Sequence, residues 1–232
     1  MSLTWDQYAD RWSGLHGGVD PRDSSPVVRG WLRLAYRIGR LLAGLGIRPA
    51  MLTWFGLLVA VLVPVVTQWG RAGPIAGGVL VVISAMADSA DGALAVVTNR
   101  VTRLGYVYDS VADRIAEVAW LAAFWLLGVP VWVVVLGGGL TWLQEYVRAR
   151  ATSAGMTEIG VVTVSERSTR AIIVSLGLVA AGFAGFATHD LSTGTATMAA
   201  AVWLLLGAIG LGQLTVAVHD ALAEQAKDRS GG

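Results

Sequence analysis

Residues 74–128 read PIAGGVLVVISAMADSADGALAVVTNRVTRLGYVYDSVADRIAEVAWLAAFWLLG. Two apolar runs flank a short polar turn at 98–104, TNRVTRL, and four carboxylates, Asp88, Asp91, Asp109 and Asp113, lie on either side of it. The pattern predicts a hairpin of two membrane helices with the acidic groups gathered near the turn. Placing one ionised carboxylate at membrane depth costs about 2.5 kcal/mol or more, so four require compensation by cations, water or both.

Working outward, the whole chain carries the same apolar character. Of 232 residues, 55% are hydrophobic and only 14% are charged, a balance that excludes an ordinary soluble domain. There is no Cys, which excludes a disulfide framework, thiolate catalysis and Cys-ligated zinc. A membrane helix needs about 20 apolar residues, and six segments meet that requirement: 49–69, 74–98, 105–128, 130–153, 168–188 and 193–218. The turns are marked by Gly70 to Pro74, Gly128 to Pro130 and Thr188 to Gly194.

The expected fold is therefore all-α: an integral membrane bundle of six transmembrane helices, preceded by an amphipathic interfacial helix. The expected organisation is a cytoplasmic N-terminal segment over 1–48, a transmembrane catalytic domain over 49–220 and a cytoplasmic tail over 221–232. Residues 27–45, VVRGWLRLAYRIGRLLAGL, set Arg29, Arg33, Arg37 and Arg40 against Trp31, Leu34, Ile38, Leu41, Leu42 and Leu45, the pattern of a basic helix lying on a membrane surface. Of the 17 basic residues only Arg71 falls in a loop on the opposite side from the rest, which places both termini and the aspartates at the cytoplasmic face of the cell membrane. The opening Met-Ser-Leu-Thr, with no apolar run before residue 50, does not read as a cleavable signal peptide.

Asp88 and Asp91 are spaced i, i+3 and Asp109 and Asp113 are spaced i, i+4, so each pair projects from one face of its helix. Carboxylates that converge repel unless cations sit between them, and two hard divalent ions sharing bridging carboxylates suit phosphoryl chemistry. Oxygen-only ligands favour Mg2+, with Mn2+ as the second choice. Gly92 and Gly105 face the same hollow and either leave room for a flat ligand or serve close helix packing.

The stretch DSADGALAVVTNRVTRLGYVYDSVAD, residues 88–113, resembles the signature of the CDP-alcohol phosphotransferase (CDP-alcohol phosphatidyltransferase) family, D-x2-D-G-x2-A-R-x8-G-x3-D-x3-D. Seven of eight fixed positions match: Asp88, Asp91, Gly92, Ala95, Gly105, Asp109 and Asp113. The resemblance implies that Asp88, Asp91, Asp109 and Asp113 together hold two divalent ions that bind the diphosphate of a CDP-linked lipid. It implies that Asp113 is the general base for the acceptor hydroxyl, and that Gly92, Ala95 and Gly105 line the cytidine pocket. The departure is Val96, where the family has arginine, and Arg100 or Arg103 is expected to substitute. A second element, GIRPAMLT at 46–53, keeps Pro49 and Thr53 but has Ala50 in place of the family's asparagine.

The acceptor alcohol is expected to meet the basic residues of the fourth and fifth spans, Arg148, Arg167 and Arg170, since arginine grips phosphate through planar multidentate hydrogen bonds. This pattern resembles phosphatidylinositol phosphate synthases, whose acceptor is a phosphorylated polyol. The bland alternative is a positive-inside loop. His16, His189 and His219 are too scattered for a metal site, and the run Gly137 to Gly139 reads as close packing, such as the interface of a homodimer.

The sequence thus predicts a metal-dependent phospholipid-synthesising transferase. It moves a phosphatidyl group from CDP-diacylglycerol to a small phosphorylated alcohol, such as inositol phosphate or glycerol phosphate, with release of CMP. Membrane lipids are the surroundings, and no nucleic-acid partner is expected. A cation-binding transporter and a catalytically impaired relative are the alternatives.

Overall fold

A computed structural model describes residues 3–156 and 163–230, with side chains as far as Ala223. Eight helices and no strand occur among the described residues: α1 (Trp5–Leu15), α2 (Pro26–Gly44), α3 (Pro49–Val66), α4 (Gly73–Val97), α5 (Arg103–Leu126), α6 (Val131–Ser153), α7 (Arg167–Gly185) and α8 (His189–Ser230). The all-helical expectation holds. A helix occupies each of the six segments read as spans.

Four of these, α3, α4, α7 and α8, are long and apolar enough to cross a membrane among the described residues. The other two fall short for a local reason. α5 carries Asp109, Asp113, Arg114 and Glu117 within its length, and α6 carries Gln144, Glu145 and Arg148. Exposed apolar side chains such as Leu58, Val61, Val82, Leu176 and Leu205 run along the four apolar helices, as the hydrocarbon face of a membrane protein requires.

Two boundaries differ from expectation. The last helix begins at His189 rather than near 193, because the Thr188 hydroxyl accepts from the Leu191 amide at 3.1 Å and caps it. It then continues to Ser230, so the segment assigned as a tail is helical backbone for most of its length, and only 231–232 lie outside the described residues. At 42 residues α8 spans about 63 Å, roughly twice a hydrocarbon core.

The chain divides into two compact units, Met1–Val63 with Leu80–Ala119, and Pro64–Val79 with Trp120–Gly232. In the first unit, Gly39 of α2 lies so close to α4 that a Cβ there would meet the Leu94 amide nitrogen at 2.8 Å. The Trp31 indole of α2 donates to Ser89 Oγ of α4 at 2.9 Å, and Ser84 Oγ donates to the Gly56 carbonyl of α3 at 2.9 Å. Polar groups of membrane-depth helices are satisfied by one another in this way.

In the second unit α6, α7 and α8 pack through small residues and inter-helix hydrogen bonds. Gln144 Nε2 donates to the Gly207 carbonyl at 2.7 Å, and the buried Trp203 indole donates to Thr141 Oγ1 at 3.0 Å. Gly137 and Gly138 lie against Trp203 and Leu121 within this unit, so two of the three glycines expected at a packing surface pack inside the chain.

Candidate active site

The end of α4 fixes the first pair of aspartates. Asn99 adopts a left-handed backbone (φ 54°), the Asn99 amide donates to the Val96 carbonyl at 3.3 Å and the Arg100 amide donates to the Ala95 carbonyl at 2.8 Å. That is a Schellman closure, with asparagine in the position glycine usually fills. Three residues later Thr102 Oγ1 accepts from the Gly105 amide at 3.0 Å and starts α5. The chain turns within 98–102 and sends Asp109 back toward Asp88 and Asp91.

One carboxylate oxygen each from Asp88, Asp91 and Asp109 lies within 4.8 Å of the other two. Three ionised groups at that separation repel strongly in a partly dehydrated setting, and Asp91 is buried. Oxygen donors of this kind, drawn from two helices, fit a hard divalent cation. Asp113 is not a member of this trio. It stands one turn further along α5, with Oδ2 3.9 Å from the Arg114 guanidinium, which also lies 3.0 Å from the carboxylate of the buried Glu117. Glu117 was not singled out by the sequence reading, because its (i, i+3) relation to Arg114 looks like any helix-surface pair until burial is known.

The trio opens into a cavity of about 970 Å³ lined entirely by the first unit. Thr53 of α3 donates to Asp91 Oδ2 at 2.6 Å, so the retained threonine of the second sequence element orients a carboxylate and lines the cavity. A Cβ at Gly92 would meet nothing within 4 Å among the described residues, and Gly92 lines the cavity. Ala95, Arg100 and Gly105 also line it, as does Ala50. Arg100 does so from the turn, since α4 stops at Val97. Arg103, the first residue of α5, is not among the lining residues.

Val96 is buried in a cluster with Tyr8, Ala35, Tyr36 and Ala93, with Trp5 and Trp12 packed against it. Three of these aromatic residues come from α1, a helix the sequence reading did not include. Its signal was present: Thr4 and Gln7 form a capping box, each side chain bonded to the other's backbone amide. Tyr36 Oη donates to the Leu3 carbonyl at 2.6 Å, and the Arg33 guanidinium stands 5.2 Å from the Trp5 ring centre. Arg22 completes the attachment by donating to Asp20 at 2.7 Å and to Asp10 at 2.6 Å.

The consequence is that Trp12, Leu15 and His16 form part of the cavity wall. Trp12 and His16 stack with ring centres 3.8 Å apart and planes 8° from parallel. His16 Nδ1 lies 2.8 Å from the Trp12 carbonyl. Desolvation draws the His16 pKa down, and the bond to Trp12 opposes this without reversing it. A histidine dismissed as scattered is thus a cavity residue, and only the docking of α1 reveals it.

The residues expected to hold the acceptor belong to the second unit. Arg148 pairs with Glu166 at 2.5 Å, and Glu166 also accepts from the Thr163 amide and hydroxyl at 2.8 Å. Arg170 is buried, donates to the Ser165 carbonyl and lies 3.8 Å from Glu145. Arg167 stacks over Trp120, its guanidinium 5.8 Å from the ring centre. Within this unit the three arginines are held by ordered partners.

Helices with hydrocarbon-facing surfaces and a largely apolar cavity that contains three converging carboxylates define an integral membrane protein with a site suited to phosphate-bearing ligands. Residues 47–211 match the CDP-alcohol phosphatidyltransferase family, and the chain belongs to that family. It is an enzyme of the CDP-alcohol phosphotransferase type, which removes the transporter alternative.

Among its relatives, archaetidylinositol phosphate synthase of Pyrococcus horikoshii is 33% identical over 142 residues, 60% of this chain and 72% of that protein. Phosphatidylinositol phosphate synthase of Mycobacteroides abscessus is 33% identical over 150 residues, 59% of this chain and 64% of that protein. Crystal structures of Mycobacterium tuberculosis phosphatidylinositol phosphate synthase share the fold at 24% identity. The complex with manganese and citrate has a TM-score of 0.64, covering 79% of this chain and 88% of that one. The complex with CDP-DAG bound has a TM-score of 0.60, covering 78% and 94%.

Proposed function

We propose that this protein transfers a phosphatidyl group from CDP-diacylglycerol to a phosphorylated small alcohol, inositol phosphate before glycerol phosphate, and releases CMP. The observation that carries the reading is the convergence of Asp88, Asp91 and Asp109 at the floor of a cavity large enough for a nucleotide. The names of the two relatives supply the acceptor class.

In this reading Asp88, Asp91 and Asp109, joined by Asp113, hold two divalent cations, Mg2+ before Mn2+. When bound, such ions neutralise a diphosphate and stabilise the departing phosphate. Thr53 locks the rotamer of Asp91, so the floor of the site is organised before the donor arrives. Gly92 and Gly105 leave the cavity open beside the trio, Ala95 adds a small wall, and the Arg100 guanidinium contributes positive charge from the turn. Arg103, outside the lining, has a role limited to the general field. The acceptor oxygen forms its bond to the lipid-bearing phosphorus, the phosphoanhydride bond to CMP breaks, and Asp113 accepts the hydroxyl proton. Arg148, Arg167 and Arg170 bind the acceptor's phosphate.

The proposal extends to the setting. α5 and α6 complete six spans, and the loop arginines put the cavity and both termini on the cytoplasmic side of the cell membrane. α2 lies at the interface, where Val27, Leu34, Leu41 and Leu45 form an exposed apolar stripe at helical spacing. The protein acts as a homodimer. The test is purified protein with magnesium, CDP-diacylglycerol and a panel of inositol phosphate, glycerol phosphate, inositol, serine and phosphatidylglycerol, scored by CMP release. Release with inositol phosphate well above the rest is expected; release with unphosphorylated alcohols alone overturns the acceptor assignment.

A further inference from the structure

The residues matched by the family end, on the N-terminal side, at position 47, yet part of the cavity wall is built from residues well before that point. α1 is held in place by several independent contacts: the capping box at Thr4 and Gln7, the Tyr36 bond to Leu3, the Trp5, Tyr8 and Tyr36 ring cluster against Val96, and the Arg22 clasp on Asp10 and Asp20. A segment anchored at this many places presents its cavity-side residues in a fixed position.

The hydrogen bond of His16 fixes more than its position. A backbone carbonyl only accepts, so the bond to the Trp12 carbonyl requires the proton on Nδ1. In the neutral ring Nε2 is then an acceptor, and stacking on Trp12 fixes the plane in which its lone pair points. His16 therefore brings to the cavity wall an aromatic nitrogen that accepts. The ligand group complementary to it is an N–H donor on a flat ring, such as the exocyclic amine of an aminopyrimidine.

We infer that α1 is a base-recognition element for the donor nucleotide, in which His16 Nε2 accepts from the exocyclic amine of cytosine and Trp12 holds the imidazole in the accepting tautomer. This rests on the reading of the cavity as the site of a CDP-linked donor. Uracil carries a carbonyl where cytosine carries the amine, so it places acceptor against acceptor and loses the contact. Val96, which lines the same cavity, packs against the aromatic underside of α1.

Equilibrium binding of CMP and of UMP to the full-length protein in detergent with magnesium tests this without requiring turnover. Wild type is expected to prefer CMP. His16→Ala is expected to weaken CMP about tenfold, the worth of one hydrogen bond, while leaving UMP within about twofold. His16→Gln, whose Oε1 accepts from nearly the position of Nε2, is expected to recover most of the preference. Equal weakening of both nucleotides, or an unchanged preference in His16→Ala, overturns the inference and leaves the donor reading intact. Failure of the wild type to bind either nucleotide overturns both.

Discussion

Thr53 on α3 donates a 2.6 Å hydrogen bond to Asp91 on α4, tying a hydroxyl at the start of one helix to a member of the carboxylate trio on the next. A hydrogen bond to an ionised group contributes about 1.5–3 kcal/mol. Thr53→Val, which keeps the shape and removes the donor, is expected to lower kcat/KM with CDP-diacylglycerol by roughly tenfold or more. Thr53→Ser is expected to restore most of it. Equal activity in both variants would show that the bond does not position Asp91 for function.

Asp113 is not one of the three carboxylates whose oxygens converge within 4.8 Å, Asp88, Asp91 and Asp109, and this predicts a division of labour. Asp113→Asn is expected to lower kcat by about 10²–10⁴ while leaving CMP affinity within about twofold, as loss of a proton acceptor does. Asp88→Asn is expected to weaken CMP binding and turnover together and to raise the magnesium concentration needed for half-maximal rate. Parallel losses of nucleotide binding in both variants would contradict the assignment.

Restoring the family's residue at position 96 is expected to harm this protein. Val96 is buried against Tyr8, Ala35 and Tyr36 at the edge of the cavity, and the cluster holds no acid for a guanidinium to pair with. An unpaired buried charge costs several kcal/mol, roughly 3 or more. Val96→Arg is predicted to lower the thermal midpoint of the detergent-solubilised protein and to expose residues 5–15 to hydrogen exchange. A gain in CMP release with unchanged exchange would mean that Arg100 does not serve in its place.

The attachment of α1 has a defined acid sensitivity. The Arg22 guanidinium, and then the Arg22 backbone amide, hold the Asp20 carboxyl below its ordinary value of 3.8. A carboxylate with a depressed folded pKa contributes stability that is complete above the ordinary value and is lost as pH falls through the folded one. Hydrogen-exchange protection of α1 is therefore expected to be flat from neutral pH down to about 4 and to decline only in stronger acid. Arg22→Gln is expected to move that decline toward higher pH; an identical profile in the variant would remove Asp20 from the attachment.

Much of the site was readable because its parts are local. The spacing of Asp88 and Asp91 on one helix, and a turn too short to do anything but reverse the chain, bring acidic groups from two helices together by geometry alone. Gly92 was readable as a glycine but not as cavity or packing surface, since that depends on what stands above it. Asp113 shows the limit of the same argument: helical spacing puts it on the face of Asp109, and spacing does not reveal that the Arg114 guanidinium lies 3.9 Å from its carboxylate. Arg100 lines the cavity from the turn rather than from α4, because Asn99 closes that helix.

By itself the sequence determined that this chain enters a membrane, since it has too few polar groups to live in water. It also determined that acidic groups from two helices gather at one hairpin, since their helical spacing and the short turn between them leave no other arrangement. Tertiary structure decided what closes the cavity. α1 is distant in sequence from the aspartates, and its Trp12 and His16 come to line the same cavity through the aromatic packing of Tyr8 and Tyr36 on Val96. Contacts between segments so far apart leave no periodic trace in the chain, because each depends on shape complementarity that neither segment specifies alone.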